Sequence, residues 1–199
     1  MYSVRYLNIT YIVHLNERET DMTFKRWLPT FLAFPIGGYI AIETVGSATS
    51  PLTAAAGGLV AGAIIGGGQW LALRSSGIGA RWIAATGAAM AAGAALAAVV
   101  TGSGTELADV MVTGAITGAA VGAAQSVVLG RGARVAAAWT AVTAAAWSLG
   151  WLATWETIVD IERGYSVFGS SGAIIVTLLT GLTLRRLLGE RRVSRAVLA

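Results

Sequence analysis

The stretch that decides the fold is residues 57–74, GGLVAGAIIGGGQWLALR. Glycine recurs there at every fourth position, as Gly58, Gly62 and Gly66, in an uncharged run that leads to Gln69. Residues four apart lie on one face of an α-helix, so the three glycines form a stripe of minimal side chains. Small-xxx-small stripes let helix backbones approach closely in a bilayer, where lipid tails remove the hydrophobic drive for association. The stretch therefore predicts a membrane helix that packs through its glycine face.

The rest of the chain has the composition of a membrane protein. Of its 199 residues 55% are hydrophobic and 12% are charged, and the mean hydropathy is +0.68. An apolar helix needs about 20 residues to cross the hydrocarbon core, and period-2 alternation typical of barrel strands is missing. We expect six transmembrane helices, one in each run without Asp, Glu, Lys, Arg or His: 27–42, 44–73, 82–105, 110–130, 135–155 and 164–184.

The first run is the shortest and contains Pro29 and Pro35. A bacterial signal peptide is the alternative interpretation, with Lys25 and Arg26 before the apolar stretch and 45–48 as a weak cleavage site. The second run is interrupted by polar residues at 47–50. We expect Ser50 to be the N-cap of a helix that begins near Pro51, because serine favours the cap and proline the first helical position.

The connections between the runs divide by charge. Arginines occupy alternate connections and the C-terminal segment: Arg74, Arg81, Arg131, Arg134, Arg185, Arg186, Arg191, Arg192 and Arg195. The other connections hold Glu43, Glu106, Asp109, Glu156, Asp160 and Glu162, with Arg163 as their one basic residue. Short Lys/Arg-rich loops stay in the cytoplasm, so we expect both termini inside and the acidic loops outside. Since the Ala-, Gly- and Arg-rich composition is typical of a GC-rich bacterial genome, the predicted location is the bacterial inner membrane.

Similar residues recur along the chain at a spacing of two helices. A tryptophan begins alternate helices and a glycine follows it by eleven residues: Trp27 and Gly38, Trp82 and Gly93, Trp139 and Gly150. The returning helices carry the stripe: Gly58, Gly62, Gly66 and Gln69; Gly114, Gly118, Gly122 and Gln125; and, more weakly, Gly169, Ala173, Thr177 and Thr180. These matches predict an all-α integral membrane fold, with the six helices as three tandem parallel two-helix repeats.

The predicted repeats cover about 26–74, 81–131 and 138–186, within a membrane domain at 26–188. Residues 1–25 are then a cytoplasmic N-terminal tail, part of which is an over-extended start if translation begins at Met22. Residues 189–199 form a basic cytoplasmic tail.

Helix geometry brings the tryptophans and glutamines together. Eleven residues at about 100° each leave a remainder of about 20°, so each tryptophan shares a helix face with its glycine, and Gly58 with Gln69. Gln69 and Trp82 lie at the same depth because both flank the same basic connection. We expect the indole N–H of the tryptophan that begins the next helix to donate to a glutamine carbonyl, at Gln69 and at Gln125.

These residues have second interpretations. The glycine stripes pack helices or line a conduit, and the glutamines join helices or contact a solute or lipid headgroup. Trp27 and Trp82 are expected in the interfacial aromatic belt. The fifth helix holds four tryptophans, which are dense enough to line an aromatic pocket in place of an interfacial belt: Trp139, Trp147, Trp151 and Trp155. The C-terminal bases are expected to set topology, with contacts to anionic lipids as the second interpretation: Arg185, Arg186, Arg191 and Arg192.

Several functional classes are excluded by composition. The chain has no cysteine and one histidine, His14, so thiolate chemistry, Cys- or His-ligated metals and Ser-His-Asp sites in the membrane lack their residues. We expect no enzyme activity, cofactor or metal. Transport coupled to an ion or proton gradient is disfavoured, because such transport uses charged residues within the membrane and no charged residue lies within the six runs. Nucleic acid is not an expected partner, because the basic residues flank apolar spans.

Residues 66–74, GGGQWLALR, followed by Arg81 and Trp82, resemble uncharacterised bacterial polytopic membrane proteins that repeat Gly-x-x-Gln-Trp-x-x-Leu-Arg in helical hairpins. The copy at 122–129 has Ser126 in place of the tryptophan, and the third copy lacks the glutamine. The resemblance extends over about 27–186. It implies the hairpin architecture and no particular activity.

We therefore expect a non-enzymatic inner-membrane protein that acts as a structural or accessory subunit. Its expected partners are membrane lipids and either a membrane-protein partner or further copies of itself. The alternative is a small uncoupled channel or facilitator for a neutral solute. A continuous polar lumen would favour the channel, and a dry, glycine-packed centre would favour the subunit.

Overall fold

The computed structural model describes residues 24–157 and 164–197, with side chains as far as residue 187. Within these ranges the chain is all-helical and has no strand, which confirms the predicted all-α class. The six helices are α1 Phe24–Val45, α2 Pro51–Leu73, α3 Arg81–Thr101, α4 Leu107–Leu129, α5 Ala133–Trp155 and α6 Ser170–Val197. The predicted N-terminal tail, apart from its last two residues, and the acidic residues at 160 and 162 lie outside the described ranges.

Five helices, α1 to α5, are long and apolar enough to cross a membrane by length and composition. At 1.5 Å per residue the 23 residues of α4 extend for about 35 Å, more than the about 30 Å of a hydrocarbon core. Among the described residues α6 does not meet the same criterion; it carries Arg185 and Arg186 before it ends at Val197. The sixth span stays a prediction.

The start of α2 has the predicted cap. The Ser50 side chain accepts a hydrogen bond from the Thr53 backbone N–H at 3.2 Å, and the Thr53 hydroxyl oxygen accepts one from the Ser50 N–H at 3.1 Å. Pro51 occupies the first helical position, where its missing N–H costs no helical bond. This reciprocal pair satisfies two backbone donors at the helix start and fixes the beginning of α2 at Pro51.

The first half of α1 departs from regular α-helix. Leu28–Leu32 is a 3-10 helix, and Ala33–Val45 is α-helical. Pro29 and Pro35 have no N–H to donate, so two i→i−4 bonds are missing in this part of the helix. A 3-10 helix turns by about 120° per residue and an α-helix by about 100°, so five 3-10 residues add about 100°. That excess equals the rotation of one α-helical residue.

Because of this extra rotation, α1 approaches α2 through a different glycine from the one that the residue count suggests. A Cβ on Gly93 of α3 would lie 2.8 Å from a backbone atom of α4. The corresponding close approach of α1 to α2 is made by Gly37, whose Cβ would lie 3.1 Å from a backbone oxygen. Gly38 meets the segment that precedes α6 instead. In α1 the glycine that approaches the next helix therefore follows Trp27 by ten residues, whereas Gly38, eleven residues after Trp27, packs against Val167.

Consecutive helices pack side by side, and α6 closes a ring by packing against Leu28–Leu32 of α1. The α2–α3 and α4–α5 pairs make the most extensive contacts, and α1 packs much less extensively on α2. Helices α1, α3 and α5 begin at one end of the ring, which we call the basic end; it carries Lys25, Arg26, Arg74, Arg81, Arg131, Arg134 and Arg185. The opposite, acidic end carries Glu43, Glu106, Asp109 and Glu156.

Large side chains fill the inside of the ring. A central cluster includes one buried residue from each helix: Phe34, Ile65, Met90, Val121, Trp147 and Val176. At the basic end a Trp–Leu cluster contains Trp27, Leu73, Trp82, Leu129, Trp139 and Leu184. In the described ranges the buried polar side chains are all threonine, serine or glutamine, and every charged side chain is at least partly exposed.

Candidate functional site

The predicted tryptophan and glutamine contacts lie in one layer of the ring next to the basic end. The Trp82 indole Nε1 donates to the Gln69 Oε1 at 3.1 Å, and the Trp139 Nε1 donates to the Gln125 Oε1 at 3.1 Å. All four side chains are buried. Each bond joins consecutive helices across a short connection, as expected from their equal depth.

The two pairs are joined into one network by the Gln125 amide. Its Nε2 donates to the Gln69 Oε1 at 3.0 Å and to the Thr86 hydroxyl oxygen at 3.0 Å. Thr86 in turn donates to the Trp82 backbone oxygen at 2.8 Å. The Gln69 carbonyl thus accepts two hydrogen bonds, and the Gln125 side chain donates two and accepts one. This link between the glutamines was not predicted from the sequence.

A third tryptophan makes an analogous contact without a glutamine. The Trp27 Nε1 lies 3.1 Å from the Thr177 backbone oxygen and 3.2 Å from the Thr180 hydroxyl oxygen, and donates to both. Thr180 donates to the Val176 backbone oxygen. Thr180 is the residue that the weak third match aligns with Gln69, so α6 supplies a shorter acceptor at that position. The Thr177 hydroxyl has no partner in the structure.

The three tryptophans are interior residues. Trp27 is 1% exposed, Trp82 is 0% and Trp139 is 1%, and the Trp82 and Trp139 rings lie 6.4 Å apart. The expectation that Trp27 and Trp82 belong to an interfacial belt is therefore wrong. The sequence signal for their burial was the helix face that each tryptophan shares with a packing glycine.

The glycines of the stripes on α2 and α4 lie close to the neighbouring helix. On α2, a Cβ at Gly58 would lie 2.7 Å from a backbone oxygen of α3, one at Gly62 2.9 Å from a Cα, and one at Gly66 3.0 Å from a side chain. On α4, Cβ atoms at Gly114, Gly118 and Gly122 would each lie 2.7 Å from the backbone of α5. These contacts allow the close approach that brings the tryptophans to the glutamines.

The aromatic residues of α5 divide between two places. Trp147 and Trp151 pack edge-on against the Phe168 ring, with centroids 5.2 Å and 6.0 Å away, and Phe168 stacks on Phe34 at 5.2 Å. Trp155 is 39% exposed. Sequence reasoning missed Phe168, which lies in the non-helical segment before α6, where no periodicity marks a buried position.

Two small cavities lie between the acidic end and the aromatic rings of Phe34, Trp147, Trp151 and Phe168. One of about 60 Å³ is lined in part by the hydroxyls of Thr101, Thr113 and Ser166, and one of about 110 Å³ is mainly apolar. Trp151 lines both, which is the extent of the predicted aromatic pocket. Both are smaller than the about 300–1,000 Å³ of typical small-molecule sites.

The C-terminal arginines are only partly described. Arg185 and Arg186 are exposed at the basic end of α6. Arg191 and Arg192 belong to the same helix, but their side chains lie outside the described ones. Contacts of these four residues with anionic lipids stay a prediction.

In chemical terms, the layer offers amide, hydroxyl and indole groups, which form hydrogen bonds but do not ionise near neutral pH. It suits the joining of helices and the recognition of neutral polar groups. Comparisons of the chain with protein-family models, with curated proteins and with solved structures give no match.

Proposed function

We propose that this chain is a multi-pass protein of the bacterial inner membrane, with six transmembrane helices and both termini in the cytoplasm. Five apolar helices of spanning length support the proposal. So does the outer surface of the ring, where large apolar side chains such as Leu52 and Val127 are 79% and 80% exposed. The basic end faces the cytoplasm, because connections rich in Lys and Arg stay on that side.

The helices are, in this proposal, three tandem two-helix repeats around a pseudo-threefold axis along the membrane normal. The returning helices support it by their buried positions. In each of them eight residues separate a β-branched residue of the central cluster from a leucine of the Trp–Leu cluster: Ile65 and Leu73 in α2, Val121 and Leu129 in α4, and Val176 and Leu184 in α6.

The outgoing helices support the same repeat once the 3-10 segment is considered. In α3 and α5 a buried threonine follows the tryptophan by four residues and a large buried side chain follows it by eight. In α1 these intervals are three and seven, one residue fewer. The seven-residue interval contains the whole 3-10 segment, whose extra rotation of about 100° accounts for the missing residue. The residues are Trp82, Thr86 and Met90; Trp139, Thr143 and Trp147; and Trp27, Thr30 and Phe34.

Cysteine labelling tests the topology. Since the chain has no cysteine, one exposed position in or next to four of the five connections can be changed alone: Thr49→Cys and Glu156→Cys at the acidic end, Ser76→Cys and Arg134→Cys at the basic end. A membrane-impermeant maleimide should label the first two in intact spheroplasts and the last two only after permeabilisation. The opposite pattern would contradict the orientation, and the absence of labelling at all four positions in intact spheroplasts would contradict insertion.

Within the membrane the proposed role is that of a non-enzymatic structural or accessory subunit, in contact with lipid and with partner proteins or further copies of itself. The observation that carries this proposal is the filled interior. Phe34, Met90 and Trp147 come from three alternate helices, are 0–2% exposed, and occupy the middle of the ring. A ring filled in this way presents its surface, not a lumen, to other molecules.

Solute flux separates this role from that of an uncoupled channel. Proteoliposomes that contain the full chain are loaded with glycerol or urea and diluted into an iso-osmotic medium without that solute. They should shrink at the rate of protein-free liposomes, because the packed centre leaves no polar path for the solute to leave. Stopped-flow light scattering measures the rate. A several-fold faster shrinkage that is lost in a folded Gln125→Leu variant would favour the channel instead. Recovery of a membrane protein at constant stoichiometry after mild extraction would support the accessory role.

A further inference from the structure

An apolar groove of about 620 Å³ runs along the outside of the ring between α1 and α2, beside the basic end. Its volume falls within the range of about 300–1,000 Å³ typical of ligand sites. Two basic residues stand at its mouth, Lys25 and Arg26, and both are exposed. Its walls are aliphatic and include Ile36, Ile64 and Leu71.

The groove exists because α1 and α2 approach each other over small residues only. A Cβ on Gly68 would lie 3.0 Å from the Ala33 Cβ, so the floor of the groove is formed by a glycine and an alanine. The walls keep much of their apolar surface uncovered, since Ile36 is 51% exposed and Leu71 is 55% exposed. The feature is therefore an open trough along the helix pair, continuous with the outer surface of the ring.

A buried hydroxyl in the groove has no partner. Thr30 lines the groove and is 6% exposed, and its Oγ1 makes no hydrogen bond. The threonines at the matching positions differ, because Thr86 donates to the Trp82 backbone oxygen and Thr143 to that of Trp139. Buried polar groups are normally paired, so the unpartnered hydroxyl distinguishes Thr30 from Thr86 and Thr143.

We propose that this groove binds one anionic phospholipid of the cytoplasmic leaflet; the inference rests on the proposed membrane insertion and orientation. The phosphate lies between Lys25 and Arg26, since paired bases match its charge. Arg26 is held at the mouth by a 2.8 Å hydrogen bond from its Nη1 to the Ser75 Oγ, which leaves its other N–H groups for the phosphate.

The depth of the remaining groups matches the order of groups along a phospholipid. Thr30 follows Arg26 by four residues, about one helical turn further into the bilayer, at the depth where a phospholipid carries its ester groups. The acyl chain then lies along the trough over Gly68 and between Ile64 and Leu71. The same three groups in the same order would not be required by an acyl chain alone or by free phosphate.

Native mass spectrometry of the full chain in detergent tests the site, with phosphatidylglycerol titrated against phosphatidylcholine. We expect one tightly bound phosphatidylglycerol and no equivalent phosphatidylcholine. Lys25→Gln with Arg26→Gln should weaken that binding by about 30-fold, at about 5-fold for each base. The matched control, Arg81→Gln with Arg134→Gln, also removes two exposed bases from the basic end and should leave the affinity unchanged.

Two further variants test the trough itself. Leu71→Trp fills it and should abolish the bound lipid, whereas Leu52→Trp, on the exposed surface of the same helix, should not.

The outcomes that overturn the proposal are distinct from failure of the proposed function. Unchanged phosphatidylglycerol binding in the Lys25/Arg26 variant, equal loss in the Arg81/Arg134 control, or displacement of the lipid by inorganic phosphate would each show that the groove is not the lipid site. Failure of membrane insertion would instead appear in the cysteine labelling, and neither lipid would then bind tightly.

Discussion

Gly58→Ala is expected to lower the free energy of unfolding by about 1–3 kcal/mol, the usual cost of overpacking a close contact. The added Cβ would lie 2.7 Å from the Met90 backbone oxygen and 3.2 Å from the Ala94 Cβ. A backbone atom cannot rotate away, so α2 and α3 must separate along one of the two most extensive interfaces of the ring. The better helix propensity of alanine offsets at most about 1 kcal/mol of this loss.

Gly67→Ala provides the matched control in the same helix. No atom lies within 4 Å of a Cβ built on Gly67, so this change should leave stability unchanged or raise it by up to about 1 kcal/mol. Unfolding by SDS in mixed micelles, followed by tryptophan fluorescence, measures both variants. Equal losses for Gly58→Ala and Gly67→Ala would mean that the stripe does not hold the helices together.

The glycine stripes and the two Trp–Gln pairs could be predicted from the sequence because helix geometry alone determines them. Gly58 and Gln69 share a face by residue count, and the short connection between α2 and α3 places Gln69 beside Trp82. The same holds for the start of α2, where Ser50 and Pro51 specify a cap from local chemistry. None of these features depends on how the ring closes.

The face of α1 that packs against α2 could not be predicted from residue counts. Pro29 and Pro35 lack a backbone N–H, but their effect on the rotation of the helix depends on whether the chain kinks or tightens into a 3-10 turn. The structure has the 3-10 turn, which moves the packing glycine from Gly38 to Gly37. The same rotation places Trp27 toward α6, where Thr177 and Thr180 accept its N–H.

Phe168 shows a second limit of sequence reasoning. It lies in a non-helical segment among glycines and serines, so neither the helical period nor hydropathy indicates a core residue there. Its burial follows from how the ring closes. The segment Ala33–Val45 of α1 contacts α6 only sparsely, and Phe168 fills the space beside Phe34 and Trp147. Burial of this kind is determined by the space that the other helices leave, which local sequence does not contain.

Gln125→Leu is expected to lower the free energy of unfolding by about 1–3 kcal/mol, because it leaves a buried donor without an acceptor. The Trp139 Nε1 loses its partner at 3.1 Å, and the Gln69 carbonyl loses the donor that links the two pairs. Thr86 keeps its bond to the Trp82 backbone oxygen, so the damage is concentrated on Trp139. The same mixed-micelle unfolding measures the loss.

A double-mutant cycle isolates the indole–amide bond from the cavity that each substitution creates. Gln125→Leu combined with Trp139→Phe removes both partners, so the double variant should be less destabilised than the sum of the single variants, by about 0.6–1.7 kcal/mol. Trp155→Phe is the matched control on α5, since Trp155 is 39% exposed and lies sixteen residues, about 24 Å, further along the helix. Its coupling to Gln125 should be close to zero. Equal coupling in the two cycles would show that the buried network, despite its geometry, does not join α4 to α5.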